Sequence, residues 1–171
     1  MNNIVRYFII LSLLLLFQFA VLNNIAIGNG ITIFVYILFF IILPFRISGP
    51  LTLLMGFWVG ISVDSVFNTG GIHAFSTVLI VFLRPMILRY FNNSFDIDLS
   101  FRPGIQSMGL TNFAKYVFTI VFLHHFLVYF IELFHFRSLL SHLFIVIVNS
   151  LLTTIVCILL EALFKREKQR V

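Results

Sequence analysis

The sequence predicts an all-α integral membrane protein, a bundle of six transmembrane helices with both termini cytoplasmic. Three observations lead there. Of the 171 residues, 61% are hydrophobic and only 10% are Asp, Glu, Lys or Arg, more apolar surface than a soluble domain of this size can hide. The apolar residues gather in runs close to the roughly 20 residues that a helix needs to cross a bilayer. The basic residues flank those runs on one side. With the N-terminus inside, Arg6, Arg46, Arg84, Arg89, Arg102, Lys115, Lys165, Arg166, Lys168 and Arg170 lie at or near the cytoplasmic side, and Arg137 is left outside. The positive-inside rule asks for that asymmetry, and five or seven spans would spoil it.

The elements follow in order. Residues 4–22 form the first span, with Arg6 near its start and Asn23 and Asn24 after it. The run is long for a signal peptide and lacks a good small-residue cleavage pattern, so an uncleaved span is expected. Residues 25–43 form the second, ended by Pro44, Arg46 and Gly49-Pro50. Residues 51–67 form the third and 72–90 the fourth. The polar break at 91–110, with Asp96, Asp98, Arg102 and Pro103-Gly104, is a cytoplasmic loop. Thr111 or Asn112 can cap a fifth span at 112–134. The sixth runs over 139–164, before a basic tail. The whole of 1–171 thus reads as a single polytopic membrane domain. The net charge of +5 sets orientation in such a chain, and no nucleic-acid partner is expected. Membrane lipids are partner enough for the basic tail. The single cysteine, Cys157, excludes an intrachain disulfide.

The most informative stretch is the junction of the third and fourth spans. Gly56 and Gly60 form a Gly-x-x-x-Gly, a spacing that lets another helix approach closely. Thr52, Gly56, Gly60 and Asp64 are each four residues apart and share one helix face. Folding the chain about Asn68-Thr69-Gly70-Gly71 brings Asp64 level with His73, so an Asp64/His73 contact is expected at the outer end of this hairpin. Two roles fit Asp64. It pins the turn, or it serves a proton, ion or ligand.

Arg84 and Pro85 lie in the fourth span toward the cytoplasm. Arg84 is expected to reach the inner headgroups, or a cytoplasmic partner, and Pro85 to kink the helix. Glu132 and His135 share a face, but a di-iron bundle needs that pair twice with two further carboxylates. With His124, His125 and His142 there is still no complete ligand set, so no metal or cofactor is expected. Asn149, Thr153, Cys157 and Glu161 form a polar stripe on the last span that should face other helices; Glu161 can also pair with Lys165. No catalytic constellation appears, which argues against an enzyme.

The junction resembles the rod shape-determining protein MreD family of bacteria. Its pattern, Gly-Phe-x-x-Gly-Leu-x-x-Asp followed by a Gly-Leu-His-Ala-like turn, is matched by Gly56-Phe57-Trp58-Val59-Gly60-Ile61-Ser62-Val63-Asp64 and Gly71-Ile72-His73-Ala74. Length, six spans and inside termini fit as well. The resemblance implies a non-enzymatic scaffold of the cell-elongation (rod) complex in the bacterial cytoplasmic membrane. It would bind the single-span protein MreC and work with MreB, RodA and a transpeptidase in sidewall peptidoglycan synthesis and rod shape. Thr52, Gly56, Gly60, Asp64, Gly71 and His73 would then be either an internal helix seam or the dock for the MreC-like span. The family is also similar in architecture to the substrate-binding subunits of energy-coupling-factor transporters. The alternative is therefore a substrate-binding subunit of a vitamin-type transporter.

Overall fold

The computed structural model describes residues 3–24, 30–92, 98, 100–133 and 139–163. All regular structure among them is helical: α1 (Asn3–Ala20), a short 3-10 turn (Leu22–Asn24), α2 (Ile37–Ile42), α3 (Gly49–Phe67), α4 (Ile72–Asn92), α5 (Ile105–Leu133) and α6 (Leu139–Leu163). Four of these, α3 to α6, are long and apolar enough to cross a membrane. The chain is a multi-pass membrane protein.

Its surface and interior are arranged to match. Phe8, Leu16, Trp58, Phe82, Phe144 and Leu159 point outward, whereas Gln18, Asp64, His73, Arg84, His124, His125 and Asn149 are buried. Lipid accepts the first group, and only the bundle interior offers hydrogen-bond partners to the second. Successive long helices pack side by side, α3 on α4, α4 on α5 and α5 on α6. The short α2 lies against α4, α5 and α1.

The second span is where expectation and structure part. Residues 25–29 lie outside the described region. Residues 31–34 carry no regular structure, and only Ile37–Ile42 is helical. Every residue from Phe34 to Leu43 is buried. Over its described part, residues 30–43, the expected 19-residue helix at 25–43 is replaced by a broken segment inside the bundle. It runs along α5: Thr32 meets Tyr129 near one end of that helix, and Phe45 N–H donates to the Phe101 carbonyl before the other (3.0 Å). An apolar run that is hydrophobic all round fits a core segment as well as a lipid-facing span, and hydropathy does not separate them.

Other boundaries moved less. The first helix stops at Ala20, and its 18 residues measure about 27 Å, slightly less than the roughly 30 Å hydrocarbon core. Pro50 in the first turn of α3 moves its start back to Gly49, a position where a missing N–H costs nothing. The expected loop 91–110 is shorter: α4 runs to Asn92 and α5 begins at Ile105. Gly109, at φ 73° and ψ 156°, breaks α5 after its first turn, so the main helix restarts at Leu110, close to the expected Thr111 or Asn112 cap. Residues 93–97 and 99 of that loop, Arg137, and the tail from 164 lie outside the described residues.

Candidate functional site

The α3–α4 hairpin is built from its glycines upward. Asn68 ends α3 in the left-handed region (φ 56°), and its N–H donates to the Asp64 carbonyl. Gly70 (φ 61°) and Gly71 (φ 103°) carry the chain round, a path that suits residues without a Cβ. The face of α3 that bears Thr52, Gly56, Gly60 and Asp64 is buried against the face of α4 that bears His73, Ala74, Thr77 and Val81. A Cβ on Gly60 would lie 2.7 Å from the Ala74 nitrogen and 2.9 Å from the His73 carbonyl oxygen. One on Gly56 would lie 3.4 Å from a Val81 methyl. The glycine stripe is therefore filled from within the chain. As an open dock for a partner's span it is not available, because α4 occupies it.

Asp64 and His73 do meet, through the backbone. One Asp64 carboxylate oxygen accepts from the His73 N–H (2.9 Å) and from the Thr69 hydroxyl (2.5 Å), and the other accepts from the Ala74 N–H (2.8 Å). These N–H groups belong to the first turn of α4, which has no carbonyls of its own to serve them. The carboxylate also sits favourably at the positive end of the helix dipole. Asp64 thus caps the next helix from the end of the preceding one.

The His73 ring points elsewhere. Its Nδ1 lies 3.2 Å from the Tyr36 hydroxyl, which also contacts His124 Nε2 (2.7 Å) and Thr77 Oγ1 (3.3 Å). A phenol has one proton to donate and two lone pairs, so three partners use it fully. Phe34 packs its ring edge-on to His73 and His124 and stacks on His125. His125 Nε2 lies 3.0 Å from Thr153 Oγ1 on α6. His124 Nδ1 and His125 Nδ1 are buried with no partner. Among the described residues, no three His, Cys, Asp or Glu side chains converge to hold a metal ion.

Other side chains serve the broken segment's backbone. On α1, Gln18 accepts from the Val35 N–H (2.9 Å) and donates to the Ile33 carbonyl (3.0 Å). Tyr129 and Asn149 both donate to the Gly30 carbonyl, at 2.8 and 3.0 Å. At the far end Tyr116 donates to the Ile41 carbonyl (3.3 Å), and Arg84 donates to the Leu43 carbonyl and to the Tyr116 hydroxyl. Non-helical backbone at membrane depth persists only where protein groups replace the missing hydrogen bonds, and these five side chains do so.

Arg84 is thereby corrected. It was expected at the inner headgroups, yet it is buried at 6% exposure and closes the C-terminal end of α2, where a positive charge is favoured. Pro85 follows within a helix continuous from Ile72 to Asn92; it leaves the Val81 carbonyl without its usual donor. The stripe of Asn149, Thr153 and Cys157 is buried, and Glu161 accepts from the Ile105 N–H (3.3 Å). Its expected partner Lys165 lies outside the described residues, as does His135; Glu132 is exposed. Near the other loop, the Ser100 N–H donates to Asp98 (2.9 Å) and holds that carboxyl below its ordinary range.

Sequence reasoning missed Gln18 and Tyr36. The signal for Gln18 was present: a lone amide within the apolar run of α1 has to find a protein partner in lipid. Nothing in the local pattern marks Tyr36, whose partners lie 37, 41 and 88 residues away. No protein family, curated protein or solved structure was found to match this chain.

Proposed function

We propose that this protein is a non-enzymatic membrane scaffold of the bacterial cell-elongation complex, of the MreD kind. Its partners would be an MreC-like single-span protein and, through it, MreB, RodA and a transpeptidase. One observation carries the reading. Gly60, Asp64, His73 and Ala74, the residues that bear the resemblance, form one interlocked hairpin, with Gly60 against Ala74 and Asp64 on the His73 and Ala74 amides. A motif whose parts depend on each other in space is better grounds for kinship than small-residue spacing alone. Since α4 fills the glycine face, a partner's span would meet a different surface.

Orientation belongs to the same proposal. The α1 N-terminus and the loops that precede α3 and α5 meet at one end, through Arg102 over the Tyr7 ring and Phe45 bonded to Phe101. That end carries Arg6, Arg46, Arg89 and Arg102, and on this reading it would face the cytoplasm, as the positive-inside rule expects of a bacterial inner-membrane protein.

The test is depletion from the native host. Rounding of rod-shaped cells, with an MreC-like protein co-purifying before depletion, is the expected result. Retained shape with vitamin auxotrophy would overturn it in favour of a transporter's substrate-binding subunit. A broken, polar-lined segment in mid-bundle is the feature that favours this second reading, since transporters place their sites at such breaks.

A further inference from the structure

The basic end of the bundle holds more than an orientation signal. Four arginines from four parts of the chain, Arg6, Arg46, Arg89 and Arg102, lie at that end. Phe45 donates its N–H to the Phe101 carbonyl (3.0 Å), so the next residues, Arg46 and Arg102, leave a common point. The Arg89 guanidinium lies over the Phe45 ring (5.9 Å to the centroid), and that of Arg102 lies over the Tyr7 ring (6.0 Å), beside Arg6. A guanidinium drawn to a ring face keeps N–H groups that can donate to an anion. Among the described residues near this end, Asp98 accepts from the Ser100 N–H and Glu161 from the Ile105 N–H.

An apolar track leads to this cluster. Phe82, Met86 and Tyr90 are four residues apart on the outer face of α4 and 66%, 64% and 76% exposed. The track ends beside Arg89. An anion with an acyl chain would use both features, and a free anion or a soluble acidic segment would use only the first. We propose that Arg46, Arg89 and Arg102 form a binding site for the headgroup phosphate of an anionic phospholipid, with an acyl chain along Phe82, Met86 and Tyr90. The site does not depend on the scaffold function, and its failure would leave that reading untouched.

The experiment is lipid retention by the full chain, purified in detergent and read by native mass spectrometry with phosphatidylglycerol and phosphatidylcholine in equal amounts. The wild type should retain phosphatidylglycerol preferentially. Arg89→Gln and Arg102→Gln should each lower that preference about fivefold, and the double variant should abolish it. Phe82→Ser with Met86→Ser should weaken retention of both lipids while the charge preference stays. Exposed Arg89 tolerates substitution; circular dichroism of each variant confirms the fold. For a folded Arg102→Lys, which keeps the charge and loses the planar donor fork, intermediate preference is expected. Equal retention of the two lipids by the wild type overturns the proposal, as does an unchanged preference in the double variant. It is also overturned if inorganic phosphate or a soluble polyglutamate peptide displaces phosphatidylglycerol at equal phosphate or carboxylate concentration.

Discussion

Gly60 and Ala74 are packed backbone to backbone: a methyl group on the glycine would lie 2.7 Å from the alanine nitrogen. Only the residues' own main chains separate α3 from α4 at this point. Gly60→Ala is therefore expected to destabilise by about 3 kcal/mol, at the upper end of overpacking costs. Gly56→Ala, which meets a Val81 methyl at 3.4 Å, should stay within about 1 kcal/mol of neutral, since better helix propensity offsets the tighter contact. Thermal unfolding of both variants in the same detergent checks the contrast; equal losses would refute it.

Asp64→Ala removes the acceptor for the His73 and Ala74 amides and the Thr69 hydroxyl. Loss of a helix cap with buried donors should cost about 2 kcal/mol. Asp64→Asn keeps one acceptor oxygen and should cost about half as much. A proton- or ion-carrying role would instead leave stability unchanged in Asp64→Asn, so melting curves separate the two readings.

Tyr36→Phe preserves the ring and deletes only the hydroxyl that joins His73, Thr77 and His124. Leaving these buried groups short of a partner should cost about 2 to 3 kcal/mol. The change should also shift the ring-nitrogen NMR signals of both His73 and His124. If only one histidine signal responds, the shared-hydroxyl arrangement is wrong.

Arg84 separates an interior clasp from a headgroup anchor. A lysine would serve an anchor equally well, but one ammonium does not reproduce the fork that reaches both the Leu43 carbonyl and the Tyr116 hydroxyl. Arg84→Lys should lose about 1 kcal/mol and Arg84→Met about 2 kcal/mol, whether or not anionic lipid is added. A loss that appears only with anionic lipid would restore the anchor.

Gln18→Leu suits the apolar helix better than glutamine does, yet it strips the Val35 N–H and the Ile33 carbonyl of partners. Hydrogen exchange at Val35 should quicken about tenfold, the equivalent of one lost bond of about 1.4 kcal/mol. Amides in the middle of α4 should be unaffected.

The four long helices, the turn between α3 and α4, and the inward stripe on α6 were legible in the sequence because each rests on local spacing. The meeting of Asp64 with His73 was legible for the same reason, as the two are nine residues apart. What local spacing does not carry is a partner's distance along the chain. The apolar run at 25–43 satisfied every criterion for a lipid-facing helix, and the broken path of its described part, 30–43, depends on Gln18, Arg84, Tyr116, Tyr129 and Asn149, scattered from α1 to α6. Arg84 was misplaced on the same account: its position along α4 suggested the inner surface, and the free Leu43 carbonyl that holds it inside appears only once α2 is known to be short.

Most of the broken segment's partners are made after it. Gly30 and Thr32 wait for Tyr129 and Asn149, Tyr36 for His73 and His124, and Leu43 for Arg84. During synthesis this stretch leaves the ribosome with Gln18 as the first helper at hand. On this account the stretch needs shelter in the bilayer until synthesis has reached Asn149. Truncated nascent chains that stop short of residue 149 should accordingly be prime clients of the membrane's quality-control proteases.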